Sequence, residues 1–94
     1  MFEWDDKKSL KLKRERNISF EEIAYIINSG GLIDIIDHPN QEKYPNQKLL
    51  IVNINGYIWV VPAERRGNRL RLITAYPSRK WTKVYLGRGN ERKD

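Results

Sequence analysis

The side chains best suited to chemistry in this sequence are cationic, and two of them stand where the last helix is expected to begin. Arg79 and Lys80 directly follow Pro77 and Ser78. Free backbone N–H groups and the positive end of the helix dipole would add to their charge, which suits a phosphate group. Arg71, on the preceding strand, could offer the same phosphate a two-pronged hydrogen bond if it emerges beside them, although an exposed arginine without a role is an equal alternative. We predict a phosphate-binding catalytic site at this helix start.

Proton transfer has several candidate groups, and no spacing singles one out. Cleavage of a phosphodiester by a neighbouring hydroxyl needs a base, a stabiliser of negative charge and an acid for the leaving oxygen. His38 can exchange protons near neutral pH, but a lone histidine before Pro39 is more often a turn residue. Glu64 stands among arginines, where it is a weak base or an ion-pair partner. The candidates for proton transfer are His38, Glu64, Lys43, Tyr44 and Tyr85.

Positive charge is concentrated in the C-terminal third of the chain. The formal net charge is +6, and from Arg65 onwards the only acidic residues are Glu91 and Asp94. Lysine and arginine beside phosphates release condensed counterions, so such clustering favours binding to a polyanion. An ordinary solvated surface is the alternative. The residues predicted to contact RNA are Arg65, Arg66, Arg69, Lys83, Lys43 and Tyr44.

Length and composition limit the classes of protein to which the chain can belong. Its 94 residues predict one domain with one modest core, which Trp59, Tyr76 and Trp81 are expected to fill or cover, although they could also stack on bases. The chain has no cysteine and one histidine, so we expect no disulfide, no metal site and no cofactor. It shows neither a secretion signal nor an apolar run that could span a bilayer, so we expect a soluble cytoplasmic protein.

The central element of the predicted fold is a β-hairpin from Lys48 to Ala63. Asn55-Gly56 suits the positive φ angles of a type I′ turn between two strands. Both strands are almost continuously apolar, so we expect them in the middle of a sheet with at least partial cover on the second face. Pro62 lacks an N–H donor and is expected at the strand's end or at a bulge.

Capping and turn residues delimit the other elements. A first helix is predicted in 2–16, with Asp5 or Asp6 as its N-cap, and a second begins with the capping box Ser19-Phe20-Glu21-Glu22. The remaining elements are the end of the second helix at 28–31, an outermost strand at 32–37, a loop at 38–48, a turn at 64–69, a strand at 70–75, a helix capped by Ser78 and ended by Gly87, and a frayed tail at 88–94. The predicted fold is therefore α+β: two N-terminal helices, a four-stranded antiparallel meander and a C-terminal helix.

Three short motifs and the order of the elements resemble the BrnT family of bacterial toxins. The motifs are Phe2-Glu3-Trp4-Asp5, Ile18-Ser19-Phe20-Glu21-Glu22 and Arg79-Lys80-x-Thr82, and the resemblance covers nearly the whole chain. BrnT proteins are the ribonuclease halves of type II toxin–antitoxin pairs and share the RelE-like fold. The resemblance implies an endoribonuclease that inhibits translation and growth. It also implies a cognate antitoxin with a DNA-binding domain, which can join the toxin in a higher-order assembly. Members commonly carry Lys-His-Gly before the second motif, whereas this sequence has Glu15-Arg16-Asn17.

Two other functions would use the same residues. A non-catalytic RNA- or ribosome-binding module would use the same basic surface, and it would bind RNA without cleaving it. A pure protein-interaction domain would do neither, and its sheet and first helix would dock an antitoxin or another partner. An assay of RNA binding and RNA cleavage separates the three.

Overall fold

The computed structural model describes residues 1–87, and the tail predicted at 88–94 lies outside this range. Within the described residues the chain forms three helices and a mixed six-stranded sheet, an α+β fold. The helices are α1 (Asp6–Arg16), α2 (Phe20–Ile26), which continues into a π-helical turn (Ile27–Gly31), and α3 (Arg79–Leu86). The strands are β1 (Phe2–Glu3), β2 (Leu32–Asp37), β3 (Gln47–Ile54), β4 (Tyr57–Arg66), β5 (Arg69–Leu72) and β6 (Tyr76–Pro77). No helix in this range is long and apolar enough to cross a membrane.

The sheet is mixed, so the predicted four-stranded antiparallel meander is incomplete and partly wrong. β2, β3, β4 and β5 do follow one another as antiparallel neighbours. However, β1 adds to β5 in parallel, which gives the strand order β1-β5-β4-β3-β2. β6 also pairs with β4, at Trp59 and Val60. Both additional strands are only two residues long and show no alternation that marks them in the sequence.

The N-cap predicted for the first helix is confirmed, because Asp5 caps α1. The Asp5 carboxylate accepts hydrogen bonds from the N–H groups of Lys7, at 2.8 Å, and Lys8, at 3.2 Å. The chain before the cap is extended, and the N–H of Leu70 donates to the carbonyl of Met1 at 3.0 Å. The residues before the predicted cap therefore form a strand, β1, which was not predicted.

The central hairpin agrees with the prediction. Asn55 and Gly56 have φ angles of 54° and 83°, as a type I′ turn requires. β3 and β4 lie inside the sheet and β2 lies at its edge, as expected. The following turn is narrower than the predicted 64–69, because β4 and β5 both extend into that range and leave only Gly67 and Asn68 between them.

Pro62 lies within β4, although it was expected at the strand's end or at a bulge. Its carbonyl accepts a hydrogen bond from the N–H of Ile73 at 2.9 Å. The N–H and C=O groups of one strand residue point to the same side, so the missing donor faces the gap between Leu72, where β5 ends, and Tyr76, where β6 begins. No ladder hydrogen bond is lost there. β5 is correspondingly shorter than the predicted strand at 70–75.

Helices cover both faces of the sheet. On the first face, α1 and α2 enclose a core of Leu12, Ile18, Phe20, Ile23, Ile27, Leu50, Val52, Ile54, Val61, Ala63, Leu72 and Ala75. On the second face, α3 packs Trp81, Tyr85 and Leu86 against Leu49, Ile51, Ile58 and Val60. The cover predicted for the second face of the hairpin is therefore confirmed.

The predicted caps of the second and last helices are confirmed. Ser19 Oγ accepts a hydrogen bond from the N–H of Glu22 at 3.1 Å, and the Glu22 carboxylate accepts one from the N–H of Ser19 at 2.8 Å. Ser78 Oγ accepts a hydrogen bond from the N–H of Trp81 at 3.1 Å, and α3 ends at Gly87 with a φ of 61°. These caps satisfy N–H groups that have no partner within the helix.

Candidate functional site

The structure divides the predicted site residues between two regions of the molecule. The first, the loop end, is the end of the sheet formed by loop 38–46 and the Gly67–Asn68 turn. The second, the helix start, consists of Arg79, Lys80 and Lys83 on α3.

The two regions lie at opposite ends of β4. The N–H of Ser78 donates to the carbonyl of Ile58 at 2.9 Å, which fixes the beginning of α3 near one end of the strand. Arg71 lies opposite Glu64, near the other end. Ile58 and Glu64 are six residues apart, about 20 Å at the rise of a β-strand. Arg71 therefore does not emerge beside Arg79 and Lys80, which was the condition for it to bind the same phosphate.

The loop end contains a row of charged side chains that crosses three strands. Glu3 on β1 pairs in register with Arg71 on β5, and Arg71 pairs with Glu64 on β4. Directly opposed antiparallel residues have their Cβ atoms about 5 Å apart on one face. We name Glu3, Arg71 and Glu64 the charged row. Arg66 and Arg69 form the next opposed pair on the same face, beside the turn.

Ion pairs connect the charged row to the neighbouring arginines. Arg71 Nη1 lies 3.4 Å from Glu3 Oε2, and Arg69 Nη1 lies 3.8 Å from Glu3 Oε1. Arg66 Nη2 lies 3.5 Å from Glu64 Oε1. The side chain of Arg71 is 32% exposed and that of Arg69 is 60% exposed, so Arg71 is the more enclosed of the two. The loop end thus places both carboxylates and guanidinium groups on an accessible sheet surface.

Asp5 adds a further negative charge near this row. Hydrogen bonds from the N–H groups of Lys8 and Lys7 hold the pKa of the Asp5 carboxyl below its usual range, and the positive charge of Arg71 acts in the same direction. Asp5 is committed to capping α1 through these hydrogen bonds. It is therefore a poor candidate for proton transfer.

His38 stands next to the charged row but is held in a turn. Its N–H donates to the carbonyl of Gln47 at 3.4 Å, and Gln47 lies opposite Glu64. Its Nδ1 accepts a hydrogen bond from the N–H of Asn40 at 3.0 Å. A neutral imidazole has one acceptor nitrogen, so the ring proton is on Nε2. In this arrangement His38 can donate a hydrogen bond from Nε2 but has no free nitrogen with which to act as a base.

The loop that contains His38 also contains Lys43 and Tyr44. The rings of His38 and Tyr44 lie 4.5 Å apart, and Lys43 Nζ lies 5.4 Å from the centre of the Tyr44 ring. The N–H of Arg65 donates to the carbonyl of Asn46 at 3.1 Å, which ties this loop to β4. The loop end therefore brings together most of the residues predicted for chemistry and for RNA contact.

Arg65 is the exception among the arginines of the loop end. It lies opposite Leu70, whose side chain packs against the first-face core, so Arg65 is on the other face of the sheet from the charged row. A ligand on the charged row can meet Arg66 and Arg69 directly, whereas Arg65 could only be reached around the turn.

The helix start is basic but contains no acidic partner within residues 1–87. No ion pair in that range involves Arg79, Lys80 or Lys83. All three side chains are exposed, and Lys80 Nζ lies 5.1 Å from the centre of the Trp81 ring. This region offers positive charge to a ligand, but no group in it can accept a proton.

Thr82 anchors the helix start to the sheet. Its Oγ1 accepts a hydrogen bond from the N–H of Ile58 at 2.9 Å and donates one to the carbonyl of Ser78 at 2.7 Å. The side chain is buried. The motif Arg79-Lys80-x-Thr82 thus combines two solvent-facing cations with one buried anchor.

Tyr85 lies on α3, where its ring is 5.6 Å from that of Trp81, and its hydroxyl reaches β2. Its hydroxyl donates to Asp34 Oδ2 at 2.9 Å, and this hydrogen bond raises the pKa of the Tyr85 phenol. Of the aromatic side chains considered for base stacking, Trp59 packs against the first-face core and Trp81 against the second-face core, as expected, while Tyr76 is exposed.

The principal residue that sequence reasoning missed is Glu3. The available signal was the alternation in Phe2-Glu3-Trp4, because Phe2 and Trp4 pack on the first-face core while Glu3 faces the charged row. In residues 1–87 no group of three or more histidine, aspartate or glutamate side chains is arranged to hold a metal ion.

A family model decides between the classes of protein considered from the sequence. The model for the ribonuclease toxin BrnT of type II toxin–antitoxin systems matches residues 4–83. The chain belongs to the BrnT family. It is therefore a ribonuclease toxin with RNA as substrate and a cognate antitoxin as partner. No curated protein and no solved structure matches the chain significantly.

The BrnT match includes loop 38–46, the Gly67–Asn68 turn and the first five residues of α3. It also includes the departure at Glu15-Arg16-Asn17, where family members commonly carry Lys-His-Gly. Asn17 ends α1 with a φ of 61°, so it takes the left-handed conformation that the usual glycine would supply. The helix ending is preserved at this departure, while the histidine is absent.

Proposed function

We propose that this BrnT protein is a metal-independent endoribonuclease that inhibits translation and growth by cleaving RNA, with residues 1–94 acting as one toxin domain in the cytoplasm. The observation that carries the proposal is the opposition of Glu64 and Arg71 on adjacent strands. It places a proton acceptor beside a cation that can stabilise a phosphate, on a surface that RNA can reach.

Glu64 is the proposed base. Its carboxylate removes the proton from a ribose 2′-hydroxyl, and the resulting oxygen attacks the adjacent phosphorus. The new O2′–P bond forms as the P–O5′ bond breaks, which gives a 2′,3′-cyclic phosphate and a 5′-hydroxyl. Negative charge builds up on the phosphorane oxygens during this step, and Arg71, with Arg66 and Arg69, is placed to stabilise it.

Lys43 is the proposed source of the proton for the 5′-oxygen. His38 would have to become an imidazolium to serve as the acid, and the protonated ring could no longer accept the hydrogen bond from the N–H of Asn40. Lys43, in the same loop, carries an ammonium proton without such a change. His38 instead donates a hydrogen bond from Nε2 to the bound RNA, and its ring supports Tyr44.

The chemistry of the side chains at the loop end supports metal independence. A metal ion in phosphodiester cleavage neutralises phosphate charge and activates the nucleophile. The three arginines supply the first effect and Glu64 supplies the second, so these residues are sufficient for the reaction without a metal.

Arg79, Lys80 and Lys83 are proposed to bind the RNA backbone away from the cleaved bond. They are exposed and lie about 20 Å from the charged row, by the rise of β4. Such contacts add affinity through counterion release and place the strand, but they act equally on the ground state and the transition state.

The cognate antitoxin is proposed to carry an acidic surface that covers the loop end, together with a DNA-binding domain. Excess positive charge on this toxin supplies the electrostatic attraction for such a partner. Size-exclusion chromatography of the co-expressed pair should give one complex, whereas two separate peaks at micromolar concentration would contradict this part of the proposal.

Purified protein and an unstructured RNA, labelled at its 5′ end, test the reaction. Cleavage should continue in EDTA and should leave 2′,3′-cyclic phosphate ends. Glu64→Gln should bind RNA, but its cleavage rate should be lower by a factor of about 10² to 10⁴, the usual contribution of a general base. The matched control is Glu15→Gln, which removes an exposed carboxylate on α1. If the wild-type protein binds RNA without cleaving it, the result would favour a non-catalytic module. If EDTA stops cleavage and magnesium restores it, metal independence would be overturned.

A further inference from the structure

The first strand holds a carboxylate against two arginines of the loop end. The N–H of Leu70 donates to the carbonyl of Met1 at 3.0 Å, and Phe2 and Trp4 pack on the first-face core. Glu3 lies between these two anchors and faces the opposite side of the sheet. Its backbone position is therefore fixed on both sides, directly beside Arg71.

Glu3 divides its two carboxylate oxygens between two guanidinium groups. Oε2 lies 3.4 Å from Arg71 Nη1, and Oε1 lies 3.8 Å from Arg69 Nη1. Arg69 and Arg71 are two residues apart on the same face of β5, where their like charges repel. The bridge offsets this repulsion and occupies one Nη group of each arginine, so each guanidinium retains other N–H donors for a ligand.

The bridge has little value as a stabilising ion pair. Its members are partly exposed to solvent, with Glu3 27% exposed and Arg69 60% exposed, and such pairs contribute little to folding stability. An ion pair at these distances, 3.4 Å and 3.8 Å, restricts the positions that the two guanidinium groups can take. A carboxylate beside a phosphate-binding site also opposes the approach of RNA, so its presence needs a reason other than affinity.

We propose that Glu3 is a positioning residue, which orients Arg71 and Arg69 so that their free N–H groups face the reacting phosphate opposite Glu64. The inference rests on the proposed function, because it requires that Arg71 stabilise the transition state. It gives the Phe2-Glu3-Trp4 segment a part in the reaction in addition to its place in the core.

Glu3→Gln tests this role, because the amide keeps the shape of the side chain and removes its charge. Steady-state cleavage kinetics should show a kcat about tenfold lower. KM should stay the same or fall, because one charge that repels RNA is removed. Disruption of a purely structural interaction would not lower KM. Glu3→Asp keeps the charge but is one methylene shorter, so it cannot reach both arginines and should give an intermediate kcat. Glu15→Gln, the matched control, should change neither constant.

A double-mutant cycle shows whether Glu3 acts through Arg71. If it does, Glu3→Gln should lower kcat in the wild-type protein and have a clearly smaller effect in Arg71→Ala, where only Arg69 remains to be oriented. An equal loss in both backgrounds, or wild-type cleavage by folded Glu3→Gln or Glu3→Asp, would overturn the inference. The single variant Arg71→Ala tests the proposed function by itself. If it cleaves normally, the proposed function of the charged row is wrong, and the inference about Glu3 is wrong with it. Circular dichroism and thermal unfolding of each variant verify that it is folded.

Discussion

The loop end and the helix start have similar positive charge but differ in what surrounds it. At the loop end, Arg71 lies between Glu3 and Glu64 on three adjacent strands. At the helix start, Arg79 and Lys80 project from the solvent face of α3, and no ion pair within residues 1–87 involves them. Cations alone can bind a phosphate, whereas bond cleavage also needs a group that takes up a proton.

The two regions also differ in how firmly their cations are held. The backbone of Arg71 is hydrogen-bonded between two strands, and its guanidinium is bridged to Glu3. The corresponding side chains of α3 are exposed, and no ion pair within residues 1–87 holds them. A preorganised donor stabilises a transition state without reorganising, and a mobile one contributes mainly to binding. The charged row is therefore the better candidate for catalysis.

Among the cations of the two regions, the largest expected effect is on Arg71. Arg71→Ala should lower kcat by about 10² to 10³, the usual cost of removing one oxyanion-stabilising donor. Arg71→Lys should recover little of this loss, because lysine keeps the charge but lacks the planar fork. Cleavage rates under single-turnover conditions and RNA affinity by filter binding measure the two effects separately.

Arg14→Ala is the control for Arg71→Ala, since it removes an exposed positive charge near the end of α1. It should leave kcat unchanged and affect RNA affinity only slightly. Equal losses in both variants would mean that cleavage follows total charge, and the assignment of Arg71 to the transition state would then be wrong.

Local signals in the sequence predicted much of this fold. Ser19 and Ser78 as caps, and Asn55-Gly56 as a type I′ turn, each depend on residues that are close in sequence. β1 could not be predicted in the same way, because its partner is β5, almost the whole chain away. The predicted cap at Asp5 left Phe2 and Glu3 outside the helix, but two residues are too few to show the alternation of a strand.

The sequence also did not predict that the candidate site residues are divided between the loop end and the helix start. Arg71 was considered for the same phosphate as Arg79 and Lys80 on the condition that it emerges beside them. Instead, β6 continues in the direction of β5 and pairs Pro77 with Trp59, so the chain travels along β4 before α3 begins. The pairing of β6 with β4 determines this path. No residue type between Arg71 and Arg79 predicts it.

An effect of intermediate size is expected at the helix start. Arg79→Ala combined with Lys80→Ala should weaken RNA binding about tenfold and raise KM, with kcat nearly unchanged. If both side chains bind phosphates, the slope of log affinity against log salt should become shallower by about 0.7 for each of the two cations removed. Affinity measured at several salt concentrations checks the slope. A fall in kcat as large as that of Arg71→Ala would move the catalytic site to the helix start.

A smaller effect is expected at His38. In His38→Asn the side-chain oxygen can accept the hydrogen bond from the N–H of Asn40, so the turn should persist without the imidazole. Cleavage should fall by no more than a few-fold, because Lys43 is assigned as the acid. A loss of about a hundredfold, with the turn intact by NMR, would show that the imidazole is the proton donor. Lys43→Ala provides the opposite test, with the larger loss expected there.

The smallest effect on cleavage is expected from Thr82→Val, which changes how α3 is attached and removes no charge. Valine has nearly the shape of threonine but cannot accept the hydrogen bond from the N–H of Ile58, which is buried. A buried N–H without a partner costs about 1–3 kcal/mol, so urea unfolding should show a loss of stability in this range. Thr82→Ser keeps the hydroxyl and should retain the hydrogen bond, with only the loss of a packed methyl group. At a temperature where Thr82→Val is folded, its kcat should equal that of the wild type, because α3 contributes no group to the charged row. A fall in kcat as large as that of Arg71→Ala would mean that the position of α3, and with it the helix start, takes part in the chemistry.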